Sequence, residues 1–141
     1  MAKLLIVYQS RTGNTQRIAE VLAEAAKAKG IEAEVKRGRD TEVADLEAAD
    51  AVALGGATYH HDLIPSMKEF LFKVEAAKLE GKPGLAFGSF GWSADAIEII
   101  QETLIYLFKM DVVEPLKVNA WKEEEGMAQV GRVIDALAAK L

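Results

Sequence analysis

Three short runs dominated by apolar residues, Lys3 to Tyr8, Ala51 to Gly55 and Gly84 to Phe90, constrain this chain most, because each leads into a polar or glycine-rich segment. Strands covered on both faces read this way: no side faces water, so the alternation of a half-exposed strand is missing. A fourth run, Ile31 to Lys36, alternates apolar and polar residues and reads as an edge strand. The fifth, Asp111 to Val118, holds Pro115, which has no N–H to give to a ladder and so belongs at the other edge. Between the runs, Ile18, Val21, Leu22, Ala25 and Ala26 recur at helical spacing, with Gly30 placed to stop the helix. Met67, Phe70, Leu71 and Val74 repeat that stripe, as do Ile97, Ile100, Leu104, Leu107 and Phe108, and then Met127, Val130, Ile134, Leu137 and Leu141. Glu42 to Ala49 gives a shorter, weaker helix. Strand and helix therefore alternate five times, the pattern of an α/β domain with a parallel sheet, right-handed crossovers and a helical layer on each face.

The 141 residues suit one domain, 1–141, and half of them are hydrophobic, enough for one covered core. No repeat, linker or low-complexity tract interrupts it, and Lys122 to Glu125 reads as a charge cluster opening the last helix. A formal net charge of −5 leaves no broad basic surface, so nucleic acid and anionic membranes are not expected as partners. The early apolar run is too short for a secretion signal or a membrane span, which points to a soluble cytoplasmic protein. The absence of cysteine excludes disulfides, thiolate-held iron–sulfur clusters and cysteine nucleophiles. Redox chemistry, if any, must come from a bound group.

Open sheets of this kind bind ligands beyond the carboxyl ends of the strands, where the strand order reverses. For the order 2-1-3-4-5, that crevice lies between the first and third strands, and Gln9 to Thr15, Gly56 to Asp62 and Gly88 to Ser93 meet there. The first loop offers the hydroxyls of Ser10, Thr12 and Thr15, together with N–H groups freed by the turn at Gly13 and by the helix start, which together suit a phosphate. It carries neither GxxxxGK[ST] nor GxGxxG, so a monophosphate is indicated over nucleoside triphosphates and dinucleotides. The same residues serve equally well as a plain helix cap and turn. The second loop sets Tyr59, His60 and His61 at the mouth of the crevice; no third ligand stands near the histidines at metal-binding spacing. In the third, Trp92 follows Gly91 and is either a core residue or an indole covered by a planar ligand.

From Ile6 to Leu22 the chain resembles the flavodoxin signature over its whole length: two apolar residues, an aromatic, a hydroxyl at Ser10, a small residue at Gly13, Thr15, Ala19 and an aliphatic at Leu22. Phe87 to Trp92 is similar to the flavin-stacking loop of short-chain clostridial flavodoxins. Thr58-Tyr59 through Ile64-Pro65, Phe87 to Ser93 and Val113 to Leu116 resemble the flavodoxin domain of flavodiiron proteins (A-type flavoproteins). The resemblance implies a flavodoxin-like three-layer α/β/α sandwich holding non-covalent FMN. It places the phosphate on Ser10, Arg11, Thr12, Gly13, Asn14 and Thr15, and the ring between Ala57 to His61 (Ala57, Thr58, Tyr59, His60, His61) and Ser89, Phe90, Gly91 and Trp92. Trp92 matches the outer stacking residue and Tyr59 the residue on the ring's other face.

Where many short-chain members have Gly-Asp after that residue, this chain has His60-His61. In the family the peptide at that glycine turns over to meet flavin N5, a motion glycine makes at little cost. A histidine there also titrates near neutrality, so the potentials are expected to vary with pH through His60 or His61. With no acid, base or nucleophile constellation visible, the chain reads as an electron carrier, monomeric or weakly dimeric, working between redox partner proteins. The alternatives are an FMN-dependent NAD(P)H:quinone reductase-like enzyme and a stand-alone flavin partner of a diiron oxidase.

Overall fold

The computed structural model describes residues 2–9, 13–56, 58–59, 62–63, 65–91 and 93–141, the pairs 58–59 and 62–63 as backbone only. Strand β1 (Lys3–Gln9) is the second position of a parallel sheet, flanked by β2 (Glu32–Arg37) and β3 (Ala51–Gly56); β6 (Pro83–Phe90) lies beyond β3, giving the order β2-β1-β3-β6. Two short segments, β7 (Asp111–Val112) and β8 (Leu116–Asn119), share the last position by pairing in parallel with opposite ends of β6. The expected single strand from Asp111 to Val118 is therefore corrected to two pieces. The break falls at Pro115, which has no N–H to give, while Val113 still donates to the Gly84 carbonyl at 3.0 Å. A two-stranded antiparallel unit, β4 (Thr58–Tyr59) with β5 (Asp62–Leu63), stands where the sequence reads as a loop.

Helix α1 (Gly13–Ala28) ends in a Schellman turn: Ile31 N–H donates to Ala26 and Gly30 N–H to Lys27, each at 3.0 Å. Gly30 takes φ 79° there, as expected of the residue that stops this helix. Helix α2 (Val43–Ala48) opens with a reciprocal cap between Glu42 and Asp45. Helix α3 (Pro65–Glu75) is followed after β6 by α4 (Asp95–Glu102), which runs on into a π-helical turn at Thr103–Leu107. The wider turn, closed by Phe108 N–H on the Thr103 carbonyl at 3.1 Å, adds one residue to the helical repeat. Leu107, expected in the buried stripe, consequently turns outward and is 56% exposed beside Phe72, while Phe108, four residues after Leu104, stays buried with it as expected. The last helix is also two, α5 (Glu123–Met127) and α6 (Val130–Ala138), and Leu141 lies exposed beyond the end of the stripe that predicts it buried.

Both faces of the sheet are covered. Leu4, Ile6 and Tyr8 of β1 pack with α1 and α6 residues such as Ile18, Leu22 and Ile134, whereas Leu5 and Val7 pack with Leu46, Met67, Phe70 and Ile97 on the other side. This double coverage is why β1, β3 and β6 read as continuous apolar runs. The carboxyl ends of those three strands lie together at one end of the sheet.

Candidate cofactor site

The registers bring those ends together: Gln9 stands opposite Gly56, and Gly55 opposite Phe87. Close approach needs glycine here. A Cβ on Gly88 would sit 1.9 Å from the Gly56 carbonyl oxygen, and one on Gly55 would sit 2.2 Å from the Phe87 ring. On the β2 side, the buried Tyr8 hydroxyl accepts from Arg37 Nε at 3.2 Å, a bond that raises the guanidinium further above its ordinary value.

Gly13 opens α1 on the exposed side, with free space around its Cα, and Asn14 and Thr15 follow in the first turn. The Asn14 side-chain oxygen accepts from Arg17 Nη2 at 3.1 Å, and Arg17 also pairs with Glu123 at the start of α5. Thr15 is fully buried, yet its hydroxyl oxygen has no hydrogen-bond partner among the described residues. Buried hydroxyls are almost always satisfied, so an orphan in the first turn of a helix, where free N–H groups and the helix dipole favour an anion, is the mark of an oxyanion's place. The residues present therefore fit a phosphate.

The other expected ring residues fall on either side of the crevice. Thr58 and Tyr59 form β4, which follows β3 in the chain; Ser89 and Phe90 finish β6, Ser89 buried; Gly91 follows, exposed. Gly13, Asn14, Thr15, Thr58, Tyr59, Ser89, Phe90 and Gly91 thus lie on the elements that end at the crevice. Ser10, Arg11, Thr12, Ala57, His60, His61 and Trp92 lie outside the described residues, and with them the expected pH dependence through the histidines.

A fourth segment that the sequence reading passes over lies beside Gly91, outside the expected cofactor contacts. Ala120, just after β8, donates its N–H to the Phe90 carbonyl at 2.8 Å, and Trp121 brings its indole nitrogen 3.6 Å from where a Cβ on Gly91 would stand. The available signal is topological: the turn after the last strand must open at the same end of the sheet as the other three.

The family model described as Flavodoxin matches residues 6–130. The chain is 33% identical over 139 residues to a flavodoxin of Maridesulfovibrio salexigens, covering 93% of this chain and 95% of that one. It is 34% identical over 147 residues to the type A flavoprotein fprA of Rhodobacter capsulatus, covering 97% of this chain and 34% of that protein, so it spans about a third of that relative's length. A solved flavodoxin from the domain Archaea matches with a TM-score of 0.90 at 30% identity, over 98% of this chain and 97% of that one. The carboxyl ends of β1, β3 and β6 brought together at the switch point of a doubly wound sheet, a buried hydroxyl at its first helix with no partner among the described residues, and these matches make this chain a member of the flavodoxin family, whose members transfer electrons on bound FMN.

Proposed function

We propose that this chain shuttles electrons between redox partner proteins and has no substrate of its own, with its FMN phosphate gripped by the turn from Ser10 to Thr15 and the ring held between the Thr58–Tyr59 segment and the turn from Ser89 to Trp92. FMN supplies the electron chemistry when bound. The residues of the chain bind and orient it. Thr15 Oγ1 donates to a phosphate oxygen and thereby gains the partner it lacks, and the N–H groups at the start of α1 add to the same oxygens. Tyr59 and Trp92 cover the ring faces and exclude water, and the close contact of β3 with β6 at Gly88 keeps the two ring-bearing segments at a fixed spacing.

The observation that carries this reading is the orphaned hydroxyl of Thr15. Among the described residues no helix is long and apolar enough to cross a membrane. Anaerobic reduction of the FMN-loaded protein, followed by mixing with an oxidised redox protein, tests the proposal. Reoxidation by the redox protein, with no steady-state quinone reduction from NADH or NADPH by the chain alone, supports a carrier; rapid turnover of nicotinamide and quinone by the chain alone refutes it.

A further inference from the structure

Trp121 is 78% exposed, in a chain that buries most of its large apolar side chains. Its backbone is held rigidly for a residue so open to water: its N–H donates to Asn119 Oδ1 at 2.9 Å, Lys122 N–H donates to the Asn119 carbonyl at 3.0 Å, and Ala120 is bonded to Phe90. The backbone is thus pinned, and the indole nitrogen lies beside Gly91. It walls an open hollow of about 410 Å³ whose other lining residues are Ala120, Lys122, Glu123, Glu124 and Glu125. Glu123 is committed to Arg17. Among the described residues, Glu124 and Glu125 are exposed and have no ion pair, and Lys122 is the one positive side chain lining the hollow.

An indole face is the best aromatic seat for a cation, and tryptophan and arginine lead the residues that anchor protein interfaces. We propose that Trp121, with Glu124 and Glu125 beside it, seats a guanidinium or ammonium side chain on the basic face of a redox partner protein, so that partners dock on the β8–α5 side of the cofactor. The proposal rests on the electron-carrier reading above. Charge complementarity selects the occupant: two carboxylates with no ion pair among the described residues, next to an exposed indole on a chain of net charge −5, repel an acidic partner and leave an apolar one with two charges to cover. The other exposed apolar patch, Phe72, Tyr106 and Leu107, sits past the middle of α3 and beyond α4, toward the amino ends of the strands and away from the crevice through which electrons leave.

The test uses the FMN-loaded full chain, reduced anaerobically, with a basic c-type cytochrome as probe acceptor and neutral benzoquinone as control. W121A is expected to slow cytochrome reduction about three- to thirtyfold at low salt, with W121F keeping most of the rate. The double variant E124Q/E125Q is expected to slow it too, with the gap closing as ionic strength rises. Benzoquinone reduction and FMN affinity stay at wild-type values in all three. An unchanged cytochrome rate in W121A overturns the proposal. So does a loss matched by benzoquinone or by weaker FMN binding, since the indole would then wall the cofactor itself. A wild-type chain that binds FMN yet reduces neither acceptor refutes the carrier reading instead.

Discussion

Replacing Thr15 with valine separates what the hydroxyl does for the fold from what it does for the cofactor. Valine keeps the branched shape and nearly the same helix propensity, so the change removes one buried oxygen and little else. In the flavin-free protein that oxygen is fully buried and has no hydrogen-bond partner among the described residues. An unmet buried hydroxyl costs about 1–3 kcal/mol, and a methyl group in its place is expected to stabilise the apoprotein by about 1 kcal/mol. With the phosphate held as proposed, the hydroxyl would donate to a charged oxygen, a bond worth about 1.5–3 kcal/mol, so Thr15→Val is expected to weaken FMN binding by about ten- to a hundredfold. The two effects have opposite signs, which few substitutions share. Urea denaturation of the apoprotein reads the first, and titration of FMN fluorescence the second. A variant that is less stable without flavin and binds FMN as tightly as wild type would refute the reasoning, because the hydroxyl would then serve the fold alone.

Three further outcomes follow from the same structure. Lys82 Nζ donates to the carbonyls of Glu47 at 2.8 Å and Ala49 at 2.5 Å, neutralising the carboxyl end of α2, so Lys82→Met is expected to cost about 1–2 kcal/mol in urea denaturation. Gly88→Ala would drive a Cβ to 1.9 Å from the Gly56 carbonyl oxygen; with backbone on both sides, relief requires parting β3 from β6, and a loss of about 3 kcal/mol is expected together with weaker FMN binding. The Glu42 N–H, and then the Lys36 ammonium, hold the Asp45 carboxyl below its ordinary range. A carboxylate depressed in the folded state stabilises above its unfolded value, about 3.9, and loses that contribution as pH falls through the folded one. Asp45→Asn is therefore expected to lower stability at pH 7 and to flatten the acid limb of a stability–pH curve.

The sheet was legible because burial on two faces leaves so plain a trace: Leu4 to Tyr8 and Ala51 to Leu54 are buried at every position. The Schellman glycine and the proline at the sheet edge were equally readable, since each acts through its own backbone. What escaped depends on hydrogen-bond registers that side-chain periodicity does not report. Leu107 fits a stripe of period 3.6, and only the π turn at Thr103–Leu107 moves it outward. The stripe from Met127 to Leu141 likewise hides the break between α5 and α6. At the site, hydroxyls and glycines in one loop signalled a phosphate, yet nothing local distinguishes a capping threonine from a phosphate ligand; the unmet hydroxyl of Thr15 appears only in three dimensions. Trp121 was hidden by distance, 30 residues from the Gly91 it stands beside.

The central claim, that the start of α1 grips the phosphate of a flavin, is tested most directly by titrating the apoprotein with FMN and with riboflavin, which lacks only the phosphate. One FMN per chain, bound at least about a hundredfold more tightly than riboflavin, is the expected result. Equal affinities for the two, or no binding of either, would contradict it.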